Sequence, residues 1–303
     1  MNSKTKSWFL LILLAIIWGS SFILMKKSMF DANGNELLSA NEVGALRIFI
    51  SGVVLLFVFF KHIKTAFSKH AIFLFLVGVL GNFGPALLFT HAQQTLSSSL
   101  TGILNSLVPI FSVIVASLVF KHNISIKAIG GILIGLVGTV FLIYFSKNGN
   151  GTIELIPVLM VVFATVCYAF SLNIIKNKLT EVSSFAITAI SLVFMIIPSI
   201  ITLGFTDIIE KVNNPTYYPA FGYTTLLAVV GTAFALVIFN ELIKLTTSVF
   251  ASSVTYLIPI VAILWGVYFN EPISWGISFA ALIIVGVVIV KKEEQKRVKR
   301  NEG

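Results

Sequence analysis

The sequence predicts an all-α integral membrane protein in which ten transmembrane helices form two inverted five-helix repeats around a central cavity. Three observations carry this prediction. The 303-residue chain is 57% hydrophobic and only 11% charged, whereas a soluble domain is about 25% charged. Ten apolar stretches approach the roughly 20 residues with which a helix spans a bilayer. Two of these stretches, in opposite halves of the chain, also resemble each other.

The ten apolar stretches are too long and too uniformly apolar for the strands of a membrane barrel. Lipid offers no hydrogen-bond partner to the backbone, so each is expected to be a helix. The first has the length of a span and lacks a small-x-small cleavage site, which predicts a retained helix rather than a signal peptide. The predicted spans cover residues 8–25, 42–60, 71–90, 99–120, 126–145, 154–174, 183–203, 221–240, 248–269 and 275–290.

The internal resemblance joins residues 106–125 to residues 256–274. Each half would contain five spans, and an odd number forces the second half to enter the bilayer in the opposite orientation, as in many transporters. We therefore expect a first repeat over residues 1–147, a second, inverted repeat over residues 148–290, and a basic cytoplasmic tail over residues 291–303. The matched positions are Leu107, Pro109 and Ile110 with Leu257, Pro259 and Ile260.

The positive charge is distributed unevenly between the predicted connectors. With the N-terminus inside, the inner segments hold 16 of the 21 Lys and Arg residues and the outer connectors hold four. This bias follows the positive-inside rule and predicts a multi-pass protein of the cell membrane with both termini in the cytoplasm. The net charge of +9 is therefore interpreted as a topology signal and a contact with membrane lipid, and no nucleic-acid partner is expected.

Motifs for catalysis or cofactor binding are not found in the sequence. The single cysteine, Cys167, excludes an intrachain disulfide and every multi-cysteine metal motif. There is no glycine-rich phosphate loop and no hydrolase or zinc-protease motif. The protein is therefore predicted not to be an enzyme and to use no cofactor or metal.

Arg47 is the one charge that lies clearly inside a predicted span. One interpretation is that it binds an anionic group or pairs with an acid in the cavity. The alternative is that it reaches the outer headgroups, or pairs with Glu42 about one turn away. Charge reversal at Arg47 is expected to abolish transport without loss of expression.

Pro109 and Pro259 are the candidate helix-kink residues, because proline removes a backbone donor and frees a carbonyl. Polar residues lie near both, including Asn105 and Tyr256. Polar groups at matched positions of two kinked helices predict a central site. Hydrogen bonding between helices is the alternative for the same residues.

Trp18 and Ser21 stand 150 positions before Tyr168 and Ser171. An aromatic ring with a polar edge suits a cavity wall, although helix packing explains the same pattern. Asn82, in the middle of the third span, is a further cavity candidate. The complete set of predicted substrate-binding residues is Trp18, Ser21, Arg47, Asn82, Asn105, Tyr168 and Tyr256.

Several short segments resemble the EamA branch of the drug/metabolite transporter superfamily over residues 8–290. They are I-W-G-S-S-F at Ile17–Phe22, S-L-V-P and Y-L-I-P around the two prolines, and F-N-E-P-I-S at Phe269–Ser274. The resemblance implies a ten-helix fold with a central cavity and alternating access. It also implies a cargo among amino acids, metabolites or drugs. His122 stands where the family often has Glu, opposite Glu271, so a symmetric role for that acid is in doubt.

Together these observations predict a secondary transporter that moves a small metabolite, amino acid or drug-like solute by alternating access, as an exporter. No nucleotide-binding motif is present, and proton coupling, exchange and facilitated movement stay open. The alternatives are an intramembrane enzyme and a channel-like or sensory membrane protein. The protein is expected to act as a monomer or a homodimer.

Overall fold

The computed structural model describes residues 3–121, 125–145, 154–245, 251 and 254–270, together with the isolated positions 278, 282, 285, 288, 289 and 292. Within this part of the chain the regular secondary structure is helical, apart from one isolated antiparallel bridge between Phe30 and Glu36. Six helical stretches there are long and apolar enough to cross a membrane. They are Thr5–Met29, Ala71–Ala92, Ser98–Leu118, Leu155–Lys178, Ser184–Gly204 and Pro215–Ile243.

The helices of the first half follow the predicted spans with small interruptions. They are α1 (Ser3–Met29), α2 (Ala40–Val54), α3 (Leu56–Lys61), α4 (Ile63–Ala66), α5 (Ala71–Gly78), α6 (Gly84–Ala92), α7 (Ser98–Asn105), α8 (Val108–Leu118) and α9 (Ile126–Phe145). A first π-helical segment, Val79–Phe83, joins α5 to α6.

The second half has a similar order of elements. Its helices are α10 (Leu155–Lys178), α11 (Ser184–Phe194), α12 (Ile196–Gly204), α13 (Ile208–Val212), α14 (Tyr218–Ala228), α15 (Ala235–Leu245) and α16 (Val254–Tyr268). A short 3-10 turn, Pro215–Tyr217, precedes α14, and a second π-helical segment, Val229–Phe234, joins α14 to α15. The predicted tenth span and the tail lie almost entirely outside the described residues, so the count of ten stays a prediction.

The second helix of each half begins in the same way. Ser39 caps α2 by accepting a hydrogen bond from the Glu42 backbone N–H, and the Glu42 carboxylate accepts one from the Ser39 N–H. Ser183 caps α11 by accepting from the Ala186 N–H. Such side-chain caps satisfy backbone donors that the first turn of a helix leaves open. The two helix starts therefore provide a fixed reference for comparing the halves.

The two π-helical segments lie at equivalent places in the two halves, separated by the offset found between the matched residues of the first spans. In the first, Asn82 Nδ2 donates to the Val77 carbonyl five residues earlier, at 3.4 Å. In the second, Thr232 Oγ1 donates to the Leu227 carbonyl, again five residues earlier, at 3.2 Å. π-Helical turns are rare and are frequently found at functional sites. Each segment widens its helix at the level where the central cavity lies.

The lipid-facing surface and the interior divide as expected for a membrane bundle. Large apolar side chains are exposed on the outside, for example Phe57 (70%), Leu118 (78%) and Phe205 (88%). Exposed apolar surface of this extent is unusual for a monomeric soluble protein. Inside, α1 packs against α14, α15 and α16, and α10 packs against α6 and α8. The first helix of each half therefore contacts mainly the other half.

Candidate functional site

A central cavity of about 1030 Å³, including the open space at its mouth, lies between the two halves. Its wall is largely apolar, with polar side chains at a few points, which is the usual composition of a site for a small molecule. Six of the seven predicted substrate-binding residues line it, namely Trp18, Ser21, Arg47, Asn82, Asn105 and Tyr168. Tyr256 belongs to α16, but its side chain lies outside the described part of the structure, and so does that of Pro259.

Aromatic residues from both halves form two similar parts of the wall. The rings of Trp18 and Phe239 meet edge to face with centroids 4.8 Å apart, and those of Tyr168 and Phe89 are tilted with centroids 5.9 Å apart. Trp18 Nε1 also donates a hydrogen bond to the Gly231 carbonyl at 3.1 Å. Each half therefore supplies one aromatic from its first span and one from its third span.

Two glycines allow the first span of each half to approach the π-helical segment of the other. A Cβ atom at Gly231 would lie 2.8 Å from Ser21 Oγ, and a Cβ atom at Gly81 would overlap Ser171 Oγ. Real Cβ contacts of this length essentially do not occur. At both positions a larger side chain would force the facing serine to move, so glycine allows this close approach.

Arg47 projects from α2 into the cavity and is half-buried. Its Nε donates to Thr232 Oγ1 at 2.6 Å, and one terminal nitrogen lies 3.9 Å from the Met25 sulfur. No carboxylate among the described residues pairs with it. The expected alternative of a pair with Glu42 is wrong, because the Glu42 carboxylate binds Lys211 instead.

The amide side chains of Asn82 and Asn105 provide further polar groups. Asn82 Nδ2 donates to Ser191 Oγ at 3.2 Å as well as to its own helix. Asn105 is 8% exposed, and its Oδ1 is buried without a hydrogen-bond partner. A buried carbonyl oxygen without a partner is unfavourable by about 1–3 kcal/mol. Asn105 Oδ1 is therefore an acceptor at the cavity wall that is open to a hydrogen-bond donor.

Asn105 also ends α7, and the helix is interrupted at Ser106 and Leu107 before α8 begins. Pro109 is the second residue of α8, a position that requires no backbone N–H. The interruption thus lies immediately before the proline, where α7 and α8 meet at the cavity. Pro259 lies within α16.

Formal charge in the cavity wall comes from Arg47. No Asp or Glu is found among the described lining residues, and the described part of the chain has no cluster of three or more residues suited to a metal ion. The wall therefore offers a positive charge, amides, hydroxyls and aromatic faces. These are groups for binding a solute, and they do not assemble a nucleophile with a base.

Several lining residues were missed by the sequence analysis, among them Thr188, Ser191, Thr232 and Asn240. Asn240 Nδ2 donates to Thr188 Oγ1 at 2.9 Å, which joins the second and third spans of the second half. A signal was present for one of them, because the sequence V-V-G-T that contains Thr232 lies 150 positions after V-L-G-N, which contains Asn82.

An ion pair joins the halves near the predicted outer surface, away from the cavity. Lys211 Nζ, on α13, lies 2.7 Å from Glu42 Oε2 at the start of α2. The Glu42 side chain is 1% exposed and that of Lys211 is 18% exposed. The other carboxylate oxygen, Glu42 Oε1, is buried without a partner.

An apolar helical bundle around a largely apolar cavity with a few polar groups is the architecture of a multi-pass membrane protein with a site suited to a small molecule. The EamA-like transporter family model matches residues 5–144 and again residues 155–291. The chain belongs to this family, which confirms the resemblance seen in the sequence, and it is therefore a membrane transporter rather than an enzyme.

Similar proteins support the same assignment. The chain is 25% identical over 299 residues to an S-adenosylmethionine/S-adenosylhomocysteine transporter of Chlamydia muridarum, with 94% of this chain and 92% of that protein covered. It is 24% identical to an uncharacterized transporter of Archaeoglobus fulgidus, with 95% and 99% covered. One crystal structure of a protein with 14% identity superimposes with a TM-score of 0.62 over 94% of this chain and 96% of its own, which shows similarity of fold.

Proposed function

We propose that this protein is a secondary transporter of the cell membrane that exports a small solute with an anionic group by alternating access. The observation that carries the proposal is the Arg47 guanidinium in the cavity wall, which has no carboxylate partner among the described residues. An ionised group inside a membrane protein is unfavourable unless it is paired or faces a water-filled cavity, and it commonly marks a substrate pathway.

The geometry of Arg47 favours an anionic solute over a role in packing. Thr232 occupies only the Nε–H, at one side of the guanidinium. The planar arrangement of the remaining N–H groups suits a carboxylate, which accepts two parallel hydrogen bonds from such a fork. The Thr232 contact fixes the plane of the guanidinium, so less conformational freedom is lost when a solute binds.

The proposed architecture is the ten-helix bundle of two inverted repeats, residues 1–147 and 148–290, with both termini and the basic tail of residues 291–303 in the cytoplasm. Recurrence of the family match in each half supports the duplication. The positive-inside bias supports the opposite orientations and the cytoplasmic termini. Exchange of contacts between the halves, such as Trp18 with Phe239 and Tyr168 with Phe89, suits a bundle in which one half rocks against the other.

S-adenosylmethionine and S-adenosylhomocysteine are the first solutes to test, because relatives of similar length are named as their transporters. Both carry a carboxylate that suits Arg47 and an adenine ring that suits the aromatic residues Trp18 and Tyr168. The lack of an acid among the described lining residues favours exchange or facilitated movement over proton coupling.

The test is counterflow in proteoliposomes that contain the purified protein, with labelled S-adenosylmethionine, S-adenosylhomocysteine and a panel of other carboxylates. Saturable exchange of at least one carboxylate is expected. Arg47→Gln is expected to weaken its apparent affinity about 10- to 150-fold, since a hydrogen bond to a charged group contributes about 1.5–3 kcal/mol. Arg47→Lys should retain part of the affinity, because it retains the charge.

Lys64→Gln is the matched control, since it removes a basic residue from an exposed connector position. Thermal unfolding of each purified variant separates a loss of binding from a loss of folding. Unchanged affinity in folded Arg47→Gln would contradict the anionic-group proposal. Single-channel currents would contradict alternating access, and accumulation rather than efflux of the solute in intact cells that express the protein would contradict export.

A further inference from the structure

Two polar contacts that cross the cavity wall occupy equivalent places in the two halves. Arg47 on α2 contacts Thr232 in the second π-helical segment, and Ser191 on α11 contacts Asn82 in the first. Asn82 and Thr232 occupy matching positions of the two segments, and each makes a hydrogen bond to the carbonyl five residues earlier. We name the first pair, Arg47 and Thr232, the donor pole and the second pair, Asn82 and Ser191, the acceptor pole.

The equivalence of Arg47 and Ser191 follows from the starts of their helices. Ser39 caps α2, and Arg47 is the eighth residue after that cap. Ser183 caps α11, and Ser191 is the eighth residue after it. The two side chains therefore leave their helices at the same height and on the same face.

A second pair of contacts supports the same alignment of the two helices. Gly44, the fifth residue after its cap, lies against Thr90, since a Cβ atom there would be 3.0 Å from Thr90 Oγ1. Thr188, the fifth residue after its own cap, accepts a hydrogen bond from Asn240. Asn240 follows Thr90 by the same offset that separates the two π-helical segments. Both helices thus meet the third span of their own half in the same register.

The donor pole offers hydrogen-bond donors to the cavity. The Thr232 hydroxyl donates to the Leu227 carbonyl, so its oxygen accepts from Arg47 Nε. The hydroxyl hydrogen and one of the two lone pairs of Thr232 are then in use. The charged groups that remain for a solute are the terminal nitrogens of Arg47, which are donors only.

The acceptor pole has the opposite chemistry. Asn82 Nδ2 donates to the Val77 carbonyl and to Ser191 Oγ, and Ser191 Oγ donates to the Thr188 carbonyl. The Val77 carbonyl favours this orientation of the Asn82 amide, because rotating it by half a turn would place the amide oxygen about 3.4 Å from the Val77 carbonyl oxygen. In the described part of the chain no donor bonds to Asn82 Oδ1. What remains at this pole is therefore an acceptor.

We infer that Asn82 Oδ1 is the acceptor of a second subsite, which binds a hydrogen-bond donor at the other end of the solute whose anionic group binds Arg47. The inference rests on the proposed function and specifies its substrate class. The cargo is a solute with an anionic group at one end, an uncharged or cationic hydrogen-bond donor at the other, and an apolar middle. The aromatic residues Trp18 and Tyr168 line the same cavity as the two poles and accommodate that middle.

The duplication explains why such a site discriminates the two ends of a solute. Equivalent positions would give a symmetric cavity if the halves were identical, and a solute would bind equally well in either direction. The halves differ at these positions, since Arg47 is equivalent to Ser191 and Thr232 is equivalent to Asn82. One pole is therefore a cationic donor and the other a neutral acceptor. The solute is thereby held in one orientation, and a solute with two anionic ends leaves Asn82 Oδ1 facing a like partial charge.

The experiment is a binding series on the purified full-length protein, measured by isothermal titration or by thermal shift. The probes are 4-hydroxybenzoate, 4-hydroxyphenylacetate, 3-(4-hydroxyphenyl)propanoate and 4-(4-hydroxyphenyl)butanoate, each compared with its counterpart without the hydroxyl group and its counterpart without the carboxylate. Because the spacing between the two polar ends grows along the series, the hydroxyl group is expected to increase affinity at least fivefold at one length and little at the others.

Two variants test which pole is responsible for the increase in affinity that the hydroxyl group of the probe provides. Asn82→Leu is expected to remove the advantage of the hydroxylated probe over its plain counterpart, and the ratio of the two affinities in this variant is the quantity that tests the subsite. Arg47→Gln is expected to weaken both carboxylates alike. Asn177→Leu is the matched control, because Asn177 donates to the Asn173 carbonyl on α10 and does not line the cavity.

The outcomes separate the two proposals. If the carboxylates bind and the hydroxyl group has no effect at any length, the second subsite is refuted while the role of Arg47 stands. If no carboxylate binds more tightly than its counterpart without the carboxylate, the proposed function fails at Arg47 and the second subsite fails with it. The comparison of probes on the unmodified protein decides the matter even if Asn82→Leu does not fold.

Discussion

The ion pair between Glu42 and Lys211 allows a quantitative test of how the outer ends of the two halves are held together. The two partners are buried to different extents, since the Glu42 side chain is 1% exposed and that of Lys211 is 18% exposed. Removing Lys211 leaves the Glu42 carboxylate in a buried place, whereas removing the Glu42 charge leaves Lys211 near solvent. We therefore expect Lys211→Met and Glu42→Gln to have unequal effects on stability.

Lys211→Met leaves the Glu42 carboxylate buried without its cation, and breaking a buried pair in this way destabilises by about 3–5 kcal/mol. Glu42→Gln is expected to destabilise by about 1 kcal/mol. Glutamine still accepts the hydrogen bond from the Ser39 N–H in the capping box, and Lys211 can turn towards solvent. The double variant should be close to Glu42→Gln alone, because it leaves no unpaired carboxylate.

The assay is thermal unfolding in detergent, followed with a dye that fluoresces on reaction with a thiol. Cys167 is the single cysteine of the chain and is buried, so it reacts when the bundle opens. At about 2–4 °C per kcal/mol, Lys211→Met should lower the midpoint by about 6–20 °C and Glu42→Gln by a few degrees. Equal effects of the two single variants, or additive effects in the double variant, would contradict the predicted cost of the unpaired Glu42 carboxylate.

Two further predictions concern a close helix contact and an exposed turn. Gly78→Ala places a Cβ atom 2.6 Å from the Ser191 carbonyl oxygen and should destabilise the protein by about 1–3 kcal/mol. The control is Gly222→Ala, which has open space around it and should not lower the unfolding midpoint in the same assay. Equal losses in the two variants would contradict the prediction. Hydrogen bonds from the Asn35 side chain and backbone lower the pKa of Asp31 from its ordinary value of 3.8. Asn35→Ala should raise the pKa of Asp31, so the turn loses stability at a higher pH than in the unmodified protein as the pH falls. Carboxyl NMR of aspartate-labelled protein measures the pKa. An unaltered titration of Asp31 would contradict the prediction.

Much of the helical framework follows from hydropathy, because a run of apolar residues determines where a helix crosses a membrane. The predicted span 8–25 lies within α1, and the predicted span 154–174 lies almost entirely within α10. The interruptions do not follow from hydropathy. The π-helical segment Val79–Phe83 differs from its surroundings in hydrogen-bond register rather than in composition. Hydropathy averaged over a window of residues therefore does not detect it.

The cavity was predictable where both halves keep the same spacing. One constant offset pairs Trp18 with Tyr168 and Ser21 with Ser171, and all four line the cavity. Between the second spans the offset is shorter, since the connectors before them differ in length. Ser191 is the position equivalent to Arg47, but a comparison of the halves at one fixed offset does not align the two residues.

Arg47 and its hydrogen-bond partner lie far apart in the sequence, so Arg47 is synthesised well before that partner. Thr232 is 185 residues further along the chain. Ribosomes add roughly 5–20 residues per second, so the guanidinium waits about 10–40 s in the membrane before Thr232 is made. During that interval the first five predicted spans carry an ionised side chain whose final neighbour does not yet exist. Water, headgroups or the insertion machinery must hold Arg47 until the predicted eighth span is made, and depletion of insertion factors should therefore affect this protein more than an Arg47→Gln variant.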